Sequence, residues 1–190
     1  STRIGKNKAC SAAETIQEWN PEVQVSVIPE FLQDENILPL IRQYDFVVDA
    51  SDQLQNKFLI NDSCVTAGVP FCNGGSEGWD GQVMTYLPKQ NLPCYRCVFE
   101  SLPADQESKP IGVIGVTAGI IGTIQASEAI RYLLGEQDGL LKGTLLRFSG
   151  QTMQFRKIPL GKCAPHCPVC HGVPDANPLQ WYQKFRNHKK

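Results

Sequence analysis

Two Cys-x-x-Cys pairs, Cys94/Cys97 and Cys167/Cys170, limit the folds open to this chain more than any other feature of its sequence. Two residues between cysteines let both sulfurs of a tight turn face one tetrahedral ion, and two such pairs give a closed site of four thiolates. The long interval between the pairs is unlike that of a small zinc finger. The ion should therefore tie together distant parts of a larger fold, and full coordination, which leaves no position for water, predicts a structural role.

Other chemistries remain open for these cysteines. Thiolates favour zinc over hard cations, although iron could occupy the same four sulfurs. Cys163, His166 or His171 could replace one of the ligands, and the pairs could instead form disulfides or a redox site. Metal is the favoured interpretation, because eight cysteines in a chain without a visible export signal indicate a reducing compartment. The other three cysteines lie in predicted helices or strands and are interpreted as small core residues: Cys10, Cys64 and Cys72.

The composition indicates a globular chain. Of its 190 residues, 42% are hydrophobic and 19% are charged, and the net charge is -1. The near-zero charge argues against a nucleic-acid partner, and the basic cluster at residues 184–190 is interpreted as a solvated terminus. The first residues contain no apolar signal segment, and the uncharged run at 110–127 has too many glycine and polar residues for a membrane span. We therefore expect a cytoplasmic protein without a membrane partner.

Strands and helices alternate through the first 75 residues, which predicts an α/β fold with a parallel sheet and crossover helices. The second half is expected to contain one long apolar helix and antiparallel strands. The predicted helices are residues 6–19, a short segment capped by Asp34, about 53–67 and about 114–134. The predicted strands are residues 23–27, 46–48, 70–72, 82–87, 145–148 and 153–158. Turns are expected at the glycine-rich residues 73–76 and at 149–151.

Four glycines recur near the start of the long helix, at steps of three and four that put them on one face. Glycine destabilises a helix, so a stripe of it predicts very close packing against another backbone, in a core or a dimer interface. A phosphate-binding loop is disfavoured because no Lys-Ser/Thr follows. The glycines are Gly112, Gly115, Gly119 and Gly122.

Asp52 follows a buried strand and precedes a helix, so it lies at the carboxyl edge of the predicted parallel sheet, where ligands bind. An aspartate there can hold magnesium against substrate phosphates, or it can simply cap the next helix. Asp49 has the same two interpretations, and Asp62 is predicted to be an exposed helix residue. Lys8 could contact a phosphate or be a solvated surface charge.

Several segments follow one another in an order that resembles the ThiF/MoeB/HesA family, the bacterial relatives of ubiquitin-activating enzymes. The resemblance runs from about Arg3 to Gly172. The matching segments are Gly5-Lys-Asn-Lys8 with Asn20-Pro21, Asp49-Ala-Ser-Asp52 with Leu59–Cys64, Gly81-Gln-Val83, both cysteine pairs, and Gly112-Val-Ile-Gly115 with Gln125-Ala126. The order and spacing of these segments together, rather than any one motif, make the resemblance specific.

The resemblance implies the C-terminal part of a Rossmann-like ubiquitin-activating-enzyme fold, whose parallel sheet continues into antiparallel strands. It implies one ThiF/MoeB-like domain over residues 1–172, incomplete at its N-terminus, with a C-terminal extension over 173–190. It also implies a homodimer. In this fold the zinc would lie away from the nucleotide chemistry.

The family uses ATP and Mg²⁺ to adenylate the C-terminal Gly-Gly carboxylate of a small ubiquitin-like carrier protein, such as the sulfur carriers of thiamin or molybdopterin synthesis. By resemblance, Lys8 would contact the ATP phosphates and Asp52 would hold magnesium, and both are implied catalytic residues. Lys57 would join them in binding the nucleotide. The carboxylate attacks the α-phosphate and pyrophosphate leaves, so no protein nucleophile is needed, and positioning and electrostatics supply the catalysis.

Three departures from the family pattern modify these expectations. No Gly-x-Gly-x-x-Gly occurs in the chain, and without that phosphate loop we expect this chain alone to be inactive. Gln53 and Lys57 stand where the family has Asn and Arg, and lysine lacks the bidentate fork. Ser108 stands where some members carry a cysteine, which favours adenylation alone or sulfur delivery by another protein. The alternative function is a non-catalytic, zinc-stapled module that binds a ubiquitin-fold partner or an intact homologue.

Overall fold

The computed structural model describes residues 3–99 and 112–171. The predicted extension at 173–190, the basic tail and Ser108 lie outside the described residues. The contacts of the chain divide it into two units, Ser1–Gln33 and Asp34–Lys190. The prediction of a single domain over residues 1–172 stays a prediction.

The first unit contains helix α1, Lys8–Trp19. Asn7 caps it, because its side-chain oxygen accepts hydrogen bonds from the backbone N–H groups of Ala9 and Cys10. The helix ends at Trp19 with Asn20 as its C-cap, in accord with the stop predicted at Asn20-Pro21. The prediction of a strand at residues 23–27 was wrong, since that segment forms no helix or strand. An alternating pattern becomes a strand only where a neighbouring strand pairs with it, and the described part of this unit contains none.

The second unit carries a five-stranded sheet in the order β1-β2-β3-β4-β5. Strands β1 and β2 are parallel, and the later neighbours are antiparallel, so the predicted fold class is confirmed. Its elements in chain order are α2 (Asp34–Ile41), β1 (Val47–Asp49), α3 (Leu54–Ala67), β2 (Phe71–Glu77), β3 (Asp80–Tyr86), α4 (Tyr95–Val98), α5 (Gly115–Leu133), β4 (Thr144–Ser149) and β5 (Gln154–Pro159).

The segment predicted as a glycine-rich turn, residues 73–76, lies inside β2 and pairs with β3. The chain reverses instead around Gly78, whose φ of 55° is in the left-handed region. Gly74 is required in the strand because a Cβ there would overlap the side chain of Gln125 from α5. The glycines of β2 therefore permit a helix side chain to approach the sheet, and they do not mark a turn.

Helix α5 packs on the sheet through one stripe of buried side chains: Thr117, Ile121, Gln125 and Glu128. Ile121 joins Cys72, Val83 and Phe148 in the core beneath the helix. Gly115, Gly119 and Gly122 lie elsewhere on α5 and Gly112 precedes the helix. A Cβ at any of these four glycines would meet nothing within 4 Å. The core alternative of the predicted close packing was therefore wrong, since larger side chains make the sheet contact. The dimer-interface alternative stays a prediction. None of the helices in the described ranges is long and apolar enough to span a membrane.

Candidate functional site

The four predicted ligands converge in the second unit, although the two pairs are 73 positions apart in sequence. The sulfur of Cys94 lies 3.8 Å from that of Cys97 and 3.7 Å from that of Cys167, and Cys97 lies 3.2 Å from Cys170. A tetrahedral zinc ion with bonds of about 2.3 Å would hold its sulfurs about 3.8 Å apart. A disulfide needs about 2.05 Å. The sulfur separations therefore fit a metal ion and not disulfides.

Crowding of these sulfurs makes their ionisation interdependent. Hydrogen bonds with Cys167, Cys170 and Cys97 raise the pKa of the Cys94 thiol, whereas hydrogen bonds from Cys170, Cys94 and Cys97 lower the pKa of Cys167. The two opposite directions follow from charge repulsion, because thiolates at this distance repel one another. A bound cation removes the conflict by stabilising all four thiolates. The donor set and its geometry can hold a metal ion.

The segment Cys94–Cys97, here called the first cysteine knuckle, is held by helix α3. Asn61 donates a hydrogen bond to the sulfur of Cys94 over 3.8 Å and accepts one from the backbone N–H of Tyr95 over 2.8 Å. Asp62 forms a buried ion pair with Arg96 of the knuckle. The prediction of an exposed Asp62 was therefore wrong, because this side chain is fully buried against Arg96. Hydrogen bonds and ion pairs of this kind, made by residues next to the ligands, fix the orientation of metal-binding side chains.

Of the alternative ligands, Cys163 and His171 contact each other rather than the four-sulfur group. The sulfur of Cys163 lies 3.4 Å from Nδ1 of His171 and 2.9 Å from Oδ1 of Asn91. The candidate ligand group found in the described residues contains only the four cysteines of the two pairs. Cys64 and Cys72 are fully buried, in accord with their predicted core role, and burial raises the pKa of Cys72 to about 12. The same prediction was wrong for Cys10, which is only partly buried on α1.

A cleft of about 510 Å³ opens at the carboxyl ends of β1 and β2. Ligands of open α/β sheets bind at this edge, next to the carboxyl ends of the parallel strands. Its wall carries acidic and basic side chains, among them Asp52, Asp80, Lys57 and Arg147. Asp52 is exposed at this wall, on the loop that joins β1 to α3. An exposed carboxylate beside cationic groups suits a ligand that brings both phosphates and a metal ion.

Asp49 holds the loop that presents Asp52. Its carboxylate accepts hydrogen bonds from the backbone N–H and hydroxyl of Ser51, and from the side-chain amide of Asn73 in β2. Asp49 is only 1% exposed, and its bonds hold the loop to β2. It does not take the predicted capping role, because the N-cap of α3 is Gln53 and no side-chain cap hydrogen bond is made there. Gln125 adds a second clasp, since its amide donates to the backbone oxygens of Asp49 and Cys72. Hydrogen bonds within the protein therefore hold the edge of the cleft in place.

Lys57 is buried between the cleft and this network. Its ammonium donates a hydrogen bond to the carbonyl of Gly74 and lies 3.6 Å from the carboxylate of Asp49. Burial lowers the pKa of Lys57, although the Asp49 carboxylate opposes that change. The side chain therefore reaches the cleft wall while it neutralises Asp49.

Lys8 is the first residue of α1, in the first unit, and its side chain is exposed. The structure places Asp52 and Lys57 at one cleft, and Lys8 is described only within its own unit. Sequence reasoning missed three residues of the cleft edge: Asn73, Gln125 and Tyr95. A usable signal existed for two of them, since a polar side chain in a buried strand or in an apolar helix requires a hydrogen-bond partner.

The model of the ThiF family matches residues 1–169. The chain belongs to the ThiF family. This ThiF-family chain is 37% identical over 189 residues to the sulfur carrier protein adenylyltransferase of Thermus thermophilus, which covers 96% of the chain and 69% of the relative. It is 35% identical over 184 residues to the adenylyltransferase and sulfurtransferase MOCS3 of Dictyostelium discoideum, which covers 95% of the chain and 43% of the relative.

The ThiF-family chain thus spans less than half the length of this MOCS3, and relatives of the family carry the name adenylyltransferase. Among solved structures, Escherichia coli MccB with ATP superposes with a TM-score of 0.76 at 20% identity, over 90% of this chain and 52% of the MccB chain. At that identity the likeness shows the fold alone.

Proposed function

We propose that this chain is part of an adenylyltransferase that activates a small ubiquitin-like sulfur carrier, of the thiamin or molybdopterin type, at its C-terminal Gly-Gly carboxylate. The observation that carries the proposal is the exposed Asp52 at the wall of the cleft, on a loop held by Asp49. The names of the Thermus and Dictyostelium relatives support the reaction class.

In this proposal Asp52 binds the Mg²⁺ that accompanies ATP, and Lys8 contacts the phosphates. Lys57 supplies positive charge at the cleft wall, although its bonds to Gly74 and Asp49 limit its reach. The carrier carboxylate attacks the α-phosphate, an acyl-adenylate forms and pyrophosphate leaves. The protein contributes by orienting the two substrates and by stabilising the developing charge.

We further propose that the four cysteines bind one structural Zn²⁺. Four sulfurs within 4.8 Å of one another support this assignment, because a closed thiolate set leaves no position for a reactive water. The family resemblance supports a homodimer, for which the exposed glycine face of α5 offers a surface of close approach. This chain alone should bind ATP poorly, since it contains no Gly-x-Gly-x-x-Gly phosphate loop.

ATP–pyrophosphate exchange with a Gly-Gly-terminated carrier tests the proposed reaction. The assay compares this chain with an N-terminally extended protein, and we expect exchange only with the extended protein. In the extended protein, Asp52→Asn should lower the exchange rate about a hundredfold, because the magnesium ligand is lost. Asp45→Asn is the matched control: Asp45 is also exposed, but it precedes the amino end of β1.

The exchange assay has two outcomes that count against these statements. If the extended protein failed to catalyse ATP–pyrophosphate exchange with every Gly-Gly-terminated carrier tested, the proposed activity would be wrong. If this chain alone supported exchange, the expectation of its inactivity would be wrong, while the reaction itself would stand.

A further inference from the structure

A row of residues crosses four strands of the sheet on the face opposite α5. The register of β2, β3, β4 and β5 pairs them in turn: Gly75, Gln82, Arg147 and Arg156. Residues that pair across neighbouring strands point to the same face of a sheet. Helix α5 covers the other face, since a Cβ at Gly81, the neighbour of Gln82, would overlap the side chain of Ile121.

Two arginines of this row stand directly opposite each other. Arg147 and Arg156 are cross-strand partners on β4 and β5, and both are exposed. Side chains of such partners leave the sheet about 5 Å apart, and like charges placed opposite each other destabilise the pairing of the strands. Arg156 donates to the amide oxygen of Gln154 over 3.4 Å, but within residues 3–99 and 112–171 neither guanidinium forms an ion pair. Two like charges that oppose strand pairing indicate a function in binding an anion.

The arginine pair lines a second cavity, of about 410 Å³. Arg147 and Asp80 line this cavity and also the cleft that contains Asp52, so the two spaces share a wall. Among the described residues that line the second cavity, Asp80 is the one acidic residue, so the lining carries a net positive charge. A ligand that begins in the cleft and extends along this face therefore meets the two arginines next.

The width of the sheet indicates which ligand reaches the arginines. Neighbouring strands lie about 4.8 Å apart, so Arg156 on β5 is about 14 Å across the sheet from Gly75 at the cleft. A magnesium nucleotide bound at Asp52 has its phosphates beside β1 and β2, three strands from β5. An extended polypeptide spans about 3.3 Å per residue, so about four residues cover that distance. A carrier whose terminal carboxylate reacts in the cleft therefore lays the residues before its Gly-Gly along this face.

We propose that Arg147 and Arg156 form a docking site for the extended C-terminal segment of the carrier, and that they select a segment with an acidic side chain upstream of its Gly-Gly. This inference rests on the proposed adenylation function. The carboxylate of the carrier segment lies between the two guanidinium groups and offsets their repulsion. Arginine suits this role, because its planar guanidinium binds a carboxylate through two parallel hydrogen bonds.

The binding of two synthetic peptides tests the proposal. Both peptides end in Gly-Gly; one carries glutamates in the segment before Gly-Gly, and the other carries glutamines at the same positions. Fluorescence polarisation measures their Kd with the N-terminally extended protein at low and at high salt. We expect the glutamate peptide to bind about tenfold more tightly at low salt and to lose this advantage at high salt, because salt screens exposed charges.

Arg156→Gln locates the binding at the arginine pair. The Kd of the glutamate peptide should rise about fivefold, as the loss of one exposed charge pair implies, and the Kd of the glutamine peptide should stay unchanged. Because the variant removes one of two opposed like charges, Tm should not fall. Lys157→Gln is the matched control: it removes the same charge from the next residue of β5, which points to the other face, so both Kd values should equal those of the wild type.

Each outcome decides the proposal. Equal affinity of the wild type for the two peptides would overturn it, and so would equal effects of Arg156→Gln and Lys157→Gln. If Arg156→Gln weakened the binding of MgATP and not that of the glutamate peptide, the arginines would belong to the nucleotide site and the proposal would fail. If Arg156→Gln did not fold, Arg147→Gln would decide, because it removes the other charge of the pair and should also weaken the glutamate peptide.

Pyrophosphate exchange by the same protein separates this inference from the proposed function. A protein that exchanged pyrophosphate without preferring the glutamate peptide would keep the function and lose the docking site. A protein that preferred the glutamate peptide through Arg156 but catalysed no exchange would keep the docking site and lose the function.

Discussion

At the scale of single residues, the buried ion pair between Asp62 and Arg96 shows that residues other than the cysteines stabilise the cysteine cluster. Both side chains are at most 7% exposed, and Arg96 also lies 4.6 Å above the ring of Phe58. Burial raises the pKa of Asp62, while the hydrogen bond and charge of Arg96 lower it. Each charge is thus tolerated in the interior only because the other is present.

Asp62→Ala should therefore be strongly destabilising. It leaves the Arg96 guanidinium buried without a counter-charge, which costs about 3–5 kcal/mol in the free energy of unfolding. Urea denaturation of the purified protein measures this loss. Glu136→Ala is the matched control, because it breaks an exposed pair with Arg131 in which Glu136 is 64% exposed, and the change should stay below about 1 kcal/mol. Equal losses in the two variants would contradict the buried-pair interpretation.

At the scale of secondary-structure elements, the contact between α5 and β2 builds the cleft edge. Gln125 reaches from α5 to the carbonyl of Asp49 at the end of β1 and to that of Cys72 near the start of β2. It also occupies the space above Gly74. The same helix contributes Glu128, which accepts hydrogen bonds from the hydroxyl of Thr85 and the backbone N–H of Leu141. Two buried polar side chains therefore fix α5 in register on the sheet, because each would be unpaired after a shift of one turn.

Gly74→Ala tests this contact. The added methyl group would overlap Gln125, so we expect the variant to lose about 1–3 kcal/mol of stability and to displace the amide from these two carbonyls. Chemical denaturation measures the loss. Gly112→Ala is the matched control, since a Cβ there meets nothing within 4 Å, and its stability should change little. A Gly74→Ala protein as stable as the wild type would show that the approach of Gln125 to β2 is not tight.

At the scale of the whole molecule, the cysteine cluster brings together two distant parts of the chain at a single point. It joins Cys94 to Cys167 across 73 positions, so it links the end of the β3 segment to the chain beyond β5. A cross-link over a loop of this length removes about 4 kcal/mol of conformational entropy from the unfolded state. Metal binding should therefore stabilise the fold as a whole, beyond its local effect on the two turns.

Cys94→Ser and Cys170→Ser should each lose zinc and lower Tm, because three thiolates no longer close the site. Atomic absorption gives the zinc content per chain, and calorimetry gives Tm. Cys163→Ser is the matched control: it removes a neighbouring thiol that contacts His171 and Asn91 rather than the cluster, so zinc content should stay at one per chain. If either ligand variant kept one zinc and an unchanged Tm, the four-thiolate assignment would be wrong.

The sequence by itself determined which four cysteines form a candidate metal site, the order of the strands and of the other helices from Asp34 onward apart from the short α4, and the place of Asp52 at a strand end. These features depend on neighbours along the chain: a Cys-x-x-Cys turn presents two sulfurs, and an apolar period selects helix or strand. They were accordingly read from local patterns, and the α/β fold class was confirmed.

Only the tertiary structure decided which distant side chains meet. Asp62 pairs with a residue 34 positions away, and Gln125 bonds a carbonyl 76 positions away, so neither burial follows from the local pattern. The same holds for the glycines of β2, which make room for a helix, and for Tyr95, which links the knuckle to the cleft. The physical reason is that a polar side chain is buried, or a glycine needed, only where a specific tertiary neighbour contacts it. Which neighbour that is depends on how the helices and strands pack.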